Sequence, residues 1–197
     1  MELLEKITLY DLLGYALPGS IVLYKVMDYD GTTEVSTFGI VCFCVLAYVF
    51  GITISEISAF ITKGVEGICF KRSKLCTKTG VSKKRVEKAL QKANVITDRE
   101  NLAQDKDVWN YYGNMYSDLQ IDKDCGRLHN YAAGVLLYKN VALSAIICGI
   151  LELTESGIGV NSIVCCIIAF CCAHRWYRVK GKLITYVFNW YVIKYKA

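Results

Sequence analysis

Asp11, Glu56 and Lys139 each stand as a charge within a stretch that is otherwise apolar. A charge at the centre of a bilayer costs about 2.5–3.5 kcal/mol on insertion scales, so each such residue needs a partner or hydration. Two arrangements are open for Lys139: an ion pair with Glu56 or Asp11 across helices, or snorkelling to the nearby interface. Asn140, Ser144, Cys148 and Glu152 recur every fourth residue and make a polar stripe on one helix. A stripe of this kind lines either a helix interface, which is the commoner use, or a water-filled path. Two further rows carry small side chains at the same spacing. They are Ala47, Gly51, Ser55 and Ala59, and Gly157, Asn161, Cys165, Ala169 and Ala173. Small residues every fourth position let helix backbones approach closely in lipid.

The ten cysteines do not read as a metal or redox centre. Cys42, Cys44, Cys165, Cys166, Cys171 and Cys172 fall inside apolar runs, and only two histidines are present, His129 and His174. Small polarisable residues packed between helices account for them, and no metal site or cofactor is expected. The chain has no G-x-S-x-G, P-loop or H-E-x-x-H motif and no acidic pair set up for hydrolysis, so nothing points to an enzyme.

These residues must be positioned by membrane helices. With 54% hydrophobic and 21% charged residues in 197, the chain is more apolar than a soluble domain of its size requires. The excess is gathered into four stretches, predicting spans over about Ile7–Met27, Thr37–Ile61, Tyr131–Leu151 and Gly157–His174. The expected fold is an all-α membrane protein of four transmembrane helices in two hairpins, with a mainly helical cytosolic insert. The boundaries expected are 1–62 for the first hairpin, 63–129 for the insert, 130–174 for the second hairpin and 175–197 for a basic, aromatic tail at the interface. Pro18-Gly19 predicts a kink or re-entrant bend in the first span. The first charges are Glu2, Glu5 and Lys6, so a cleaved signal peptide is not expected.

Charge sets the orientation. Lys63 to Asn94 carries ten Lys or Arg against two Glu, and the tail from Arg175 carries six and no acid. Asp28, Asp30 and Glu34 follow the first span, and Glu152 and Glu155 follow the third. Basic segments stay cytoplasmic, so both termini and the insert are expected there. The net charge of +5 is then matched to anionic lipid rather than to nucleic acid. Within the insert, Ser82 to Ala93 predicts a helix capped by Ser82, with Val86, Ala89, Leu90 and Ala93 on one stripe. Asp105 to Ile121 predicts another. Thr79-Gly80-Val81-Ser82 before a basic helix has the look of a helix-turn-helix, but no preceding helix of suitable length is evident. The 11 residues Leu183–Ile193 are too short to span; their β-branched and aromatic content would also suit a strand, but an amphipathic helix on the inner leaflet is the favoured reading.

Three stretches also carry a resemblance. Leu9 to Gly19 resembles the D-x-x-G-Y-x-x-P-G opening of small bacterial multi-pass membrane proteins. Tyr48, Gly51, Ser55 and Ser58 are similar to the Y-x-x-G-x-x-x-S-x-x-S helix that follows in them, and Arg175-Trp176-Tyr177-Arg178 to their R-x-Y-R-like tail. Several membrane components of anti-phage systems share this architecture. The resemblance implies a bacterial inner (plasma) membrane location and raises the expectation of antiviral defence. The resulting expectation is a homo-oligomer that responds to a signal or a cytosolic protein partner and forms an ion channel or otherwise perturbs the membrane. The alternative is a passive anchor that recruits a cytosolic effector through the insert.

Overall fold

The computed structural model describes residues 12–27, 36–69, 80–96, 105–121 and 126–196. All regular structure among them is helical. A π-helical turn, Leu12–Ala16, leads into α1 (Leu17–Val26). The others are α2 (Thr37–Cys69), α3 (Lys83–Lys92), α4 (Asp105–Asn110), α5 (Tyr112–Gln120), α6 (Gly126–Ser156) and α7 (Val160–Lys194). Three of these, over Thr37–Glu66, Arg127–Ser156 and Val160–Lys194, are long and apolar enough to cross a membrane. The apolar helix Leu12–Val26 is shorter, and residues 7–11 of the expected first span lie outside the described residues.

The long helices outrun the predicted spans. At 1.5 Å per residue, the 33, 31 and 35 residues of α2, α6 and α7 extend about 46–52 Å, well beyond a hydrocarbon core of about 30 Å. Ser36 starts α2, its Oγ accepting from Gly39 N–H at 3.1 Å and its carbonyl from Ile40 N–H at 3.1 Å. Gly157, at φ +72°, allows the tight turn between α6 and α7. The proline bend expected in the first span takes the form of the π turn. Pro18 lies in the first turn of α1 and has no N–H to offer the carbonyl of Gly14, four residues before it.

The chain divides into two compact units, one of Met1–Thr62 with Ala133–Arg178 and one of Lys63–Ala132 with Val179–Ala197. The second corrects the expectation of a separate interfacial tail. Helix α7 runs unbroken through residue 174, and Leu183, Ile184, Val187, Phe188, Tyr191 and Val192 are buried. Their i, i+1, i+4, i+5 pattern makes one wide apolar face, which is buried within the insert-containing unit. Lys194 pairs with Asp118 at 3.1 Å and Lys180 with Glu66 at 3.0 Å. Helix α3 buries Val86, Ala89 and Leu90, while Ala93 is half-buried. Ser82 caps α3 through its carbonyl, which accepts from Arg85 and Val86, and not through its hydroxyl. The single helix expected over Asp105–Ile121 is divided at Tyr111 into α4 and α5, with Val108, Met115 and Leu119 buried.

Candidate functional site

The first unit is built on two backbone contacts. A Cβ added to Gly19 would overlap the Ala47 carbonyl oxygen, and one added to Gly51 would overlap the Tyr15 carbonyl. Glycine is therefore required at both positions for α1 and α2 to cross this closely. Tyr15 and Tyr48 meet edge to face beside the crossing, with ring centroids 5.8 Å apart. Tyr15 and Gly19 of the first pattern and Tyr48 and Gly51 of the Y-x-x-G pattern thus meet at one place. Ala47, Gly51 and Ser55 are buried on α2, and Ala59 is half-buried.

A polar ladder joins α6 to the first helix. Asn140 is fully buried; its Nδ2 donates to the Gly14 carbonyl at 2.8 Å, and its Oδ1 accepts from the Ser58 hydroxyl at 2.6 Å. Only the NH2 end can donate to a carbonyl, so these partners fix the orientation of the amide. One turn on, the buried Ser144 hydroxyl donates to the Pro18 carbonyl at 3.0 Å. Cys148 Sγ follows, 3.8 Å from the Ile21 carbonyl. Glu152 ends the row on Lys25 Nζ at 2.8 Å, and Glu155 reaches the same ammonium at 2.6 Å. The stripe of α6 therefore lies against Gly14, Pro18, Ile21 and Lys25. Asn140 serves the one carbonyl that Pro18 cannot, a role visible in the sequence only as the four-residue spacing of Gly14 and Pro18.

The row assigned to α7 is displaced. Gly157 and Asn161 are exposed, as is Ala173, and the face turned inward carries Ser162, Cys165, Ala169, Cys172 and Trp176. A strict four-residue repeat drifts about 40° per step from a 3.6-residue helix, whereas this alternation of three and four stays on one side. Gly157 serves the turn instead of packing. Asn161 Nδ2 donates to Glu152 Oε1 at 3.0 Å, and so joins the end of the ladder. Ser162 closes the start of α7, with Gly159 N–H donating to its Oγ at 3.1 Å.

Of the three isolated charges, Asp11 lies outside the described residues. Glu56 is exposed and forms no ion pair among the described residues, and Lys139 is half-buried. One residue beyond Ser55, Glu56 is turned 100° off the buried face of α2. Among the described residues, Cys42, Cys44, Cys148, Cys165, Cys166, Cys171 and Cys172 are free thiols, and no three His, Cys, Asp or Glu side chains gather to hold a metal ion.

In the second unit Tyr112 is the central aromatic, stacked on Trp109 with centroids 5.0 Å apart and lying 6.2 Å from the Phe188 ring. Its hydroxyl is buried with no hydrogen-bond partner among the described residues. Burial, with repulsion from the Glu66 carboxylate and from Tyr116 once ionised adding to it, holds the phenol protonated well above the ordinary tyrosine range. Burial also raises Tyr116.

Set against known proteins, the chain matches no family model, no curated protein and no solved structure.

Proposed function

We propose that the chain is a multi-pass anchor of the bacterial inner membrane that presents its insert, joined by the end of α7, to a protein partner in the cytosol. The observation that supports this best is the closure of the polar ladder. Asn140 and Ser144 are buried with their polar groups bonded inside the unit, which suits a fixed support. In this reading the first helix completes a fourth span and the basic insert and tail hold both termini in the cytoplasm. Exposed side chains such as Phe38, Phe60 and Phe170 face lipid or a second copy of the chain. The resemblance to components of anti-phage systems favours a recruited effector that acts in defence.

A second reading, a gated pore, draws on the same ladder. Displacement of α1 would leave Asn140, Ser144 and Glu152 along one open face of α6, a row able to line water. Membrane potential in a bacterial host separates the two. The anchor predicts no depolarisation at any expression level, together with capture of a partner by the full-length chain. Depolarisation by wild type that is lost in an Asn140→Leu variant still inserted in the membrane would overturn the anchor in favour of the pore.

A further inference from the structure

We propose that Glu56 of α2 and Arg175 of α7 are the two halves of a charge clasp by which one copy of the chain grips the next within the membrane. Glu56 is exposed and forms no ion pair among the described residues. Its stripe continues in exposed apolar side chains, with Val49, Ile52 and Phe60 within about 40° of it around the helix. Arg175 is likewise exposed and without an ion pair among the described residues, and its guanidinium lies 5.9 Å from the centroid of the Tyr138 ring. Val164, Ile168 and Cys171 are exposed on the same stripe of α7. Each half is therefore a lone charge on a face otherwise suited to lipid.

Depth decides that these charges need a partner. The Lys25–Glu152 pair lies beside the turn between α6 and α7, whose backbone polar groups cannot stand in hydrocarbon, so the pair marks one edge of the core. The helix rises about 18 Å from Glu152 back to Asn140. Because Ser58 bonds Asn140 while Ile54 packs with Cys148, α2 runs antiparallel to α6. Glu56 thus stands about 15 Å from the Lys25–Glu152 level, and Tyr138, with Arg175 over it, about 21 Å. In a core of about 30 Å both lie inside the hydrocarbon, at levels about 6 Å apart that two long side chains can bridge. Glu56, on its short stem, is too deep to reach the headgroups. An unrelated membrane protein would have to bring a cation to that depth, whereas every copy of this chain carries one. Copies inserted with the same topology therefore present the acid of one to the base of the next.

The inference deepens the membrane-anchor reading by naming what covers α2 and α7 in the bilayer, and it rests on those helices spanning it. The test reconstitutes the full chain in proteoliposomes, half of it with a donor dye and half with an acceptor at the C-terminus, and reads energy transfer against protein density. Wild type should associate. Glu56→Arg and Arg175→Glu should each weaken association about tenfold or more, since each sets like charges face to face. Glu56→Gln, which removes the charge without adding repulsion, should weaken it less. Mixing the Glu56→Arg chain with the Arg175→Glu chain should restore transfer, because the altered α2 of one then meets the altered α7 of the other. If the mixture fails while a chain carrying both substitutions associates normally, the pair lies within one copy and the clasp is overturned. Equal transfer in all variants, or none in wild type at any density, overturns it as well. Depolarisation of cells by the chain would defeat the anchor reading while leaving the clasp standing, and capture of a partner by a chain that does not self-associate would do the reverse.

Discussion

Phe170 and Phe188 lie on one helix, eighteen residues or five full turns apart, and so on the same face of α7. Phe170, in the first unit, is 74% exposed; Phe188, in the second, is 2% exposed. The two units are inside-out relatives. Every buried polar residue among those described (Ser55, Ser58, Asn140, Ser144 and Ser162) belongs to the first unit, whereas the large buried side chains Leu90, Met115, Leu119, Leu128, Phe188 and Tyr191 belong to the second. In lipid, apolar side chains gain nothing by leaving one hydrocarbon for another, so helices are held by close backbone approach and by hydrogen bonds. In water, burial of apolar area dominates. One chain obeys both rules, and the change of rule falls within its longest helices.

The sharpest way to break this contrast is Gly19→Leu. The added side chain must displace the Ala47 carbonyl, so α1 and α2 should separate and the first unit should lose its native packing, read as rapid protease cleavage of α1 in nanodiscs. Unchanged resistance would remove the backbone crossing from the account. Next in size is the paired substitution of the two phenylalanines. Phe188→Ala should cost about 3–5 kcal/mol in the second unit, and Phe170→Ala less than about 0.5 kcal/mol, both measured by denaturant unfolding of the detergent-solubilised chain. Equal losses would mean that both faces are packed alike.

Asn140→Ala sharpens the comparison from the lipid side. Membrane hydrogen bonds contribute about 0.6 kcal/mol on average and up to about 1.7, so a loss of about 1–2 kcal/mol is expected, with a Ser58→Ala double mutant showing coupling between the two. A purely additive pair would separate Ser58 from the ladder. Smallest is Tyr112→Phe. It removes a buried hydroxyl that has no partner among the described residues and should raise the melting temperature slightly. The raised pKa of Tyr112 makes the folded state prefer the phenol. That stability is present below the unfolded value of about 10 and is lost as pH rises beyond it. The phenylalanine variant should therefore resist alkaline unfolding better than wild type.

Much of this was legible in the residues, and the failures have physical causes. Thr37 was readable as the start of a span because a long uncharged run lies there, whereas the hydroxyl and carbonyl of Ser36 that hold the first turn became visible only in the structure. The period-four row Asn140, Ser144, Cys148 and Glu152 was readable as a stripe, but not its partner, since backbone carbonyls leave no trace in sequence. The row assigned to α7 went astray because a strict repeat of four ignores the 3.6-residue turn. The tail was misjudged for another reason. Its buried face is as apolar as a lipid-facing one, and only the insert that covers it tells them apart. Expected spans stopped near the first charges, although Glu66 and Lys180 neutralise each other and let α2 and α7 continue.

The bond from Asn140 to Gly14 crosses 126 positions of sequence, and this imposes a schedule on synthesis. At 5–20 residues per second, roughly 6–25 s pass between the making of the first helix and the arrival of the amide that serves its carbonyl. During that interval α1 has no third helix to lean on, and the insertion machinery must shelter it. Ribosome-bound chains arrested near residue 110 should leave a cysteine at Val22, which packs against Cys148, Leu143 and Ile147 of α6, open to thiol reagents, and chains arrested well past residue 200 on a C-terminal extension should bury it.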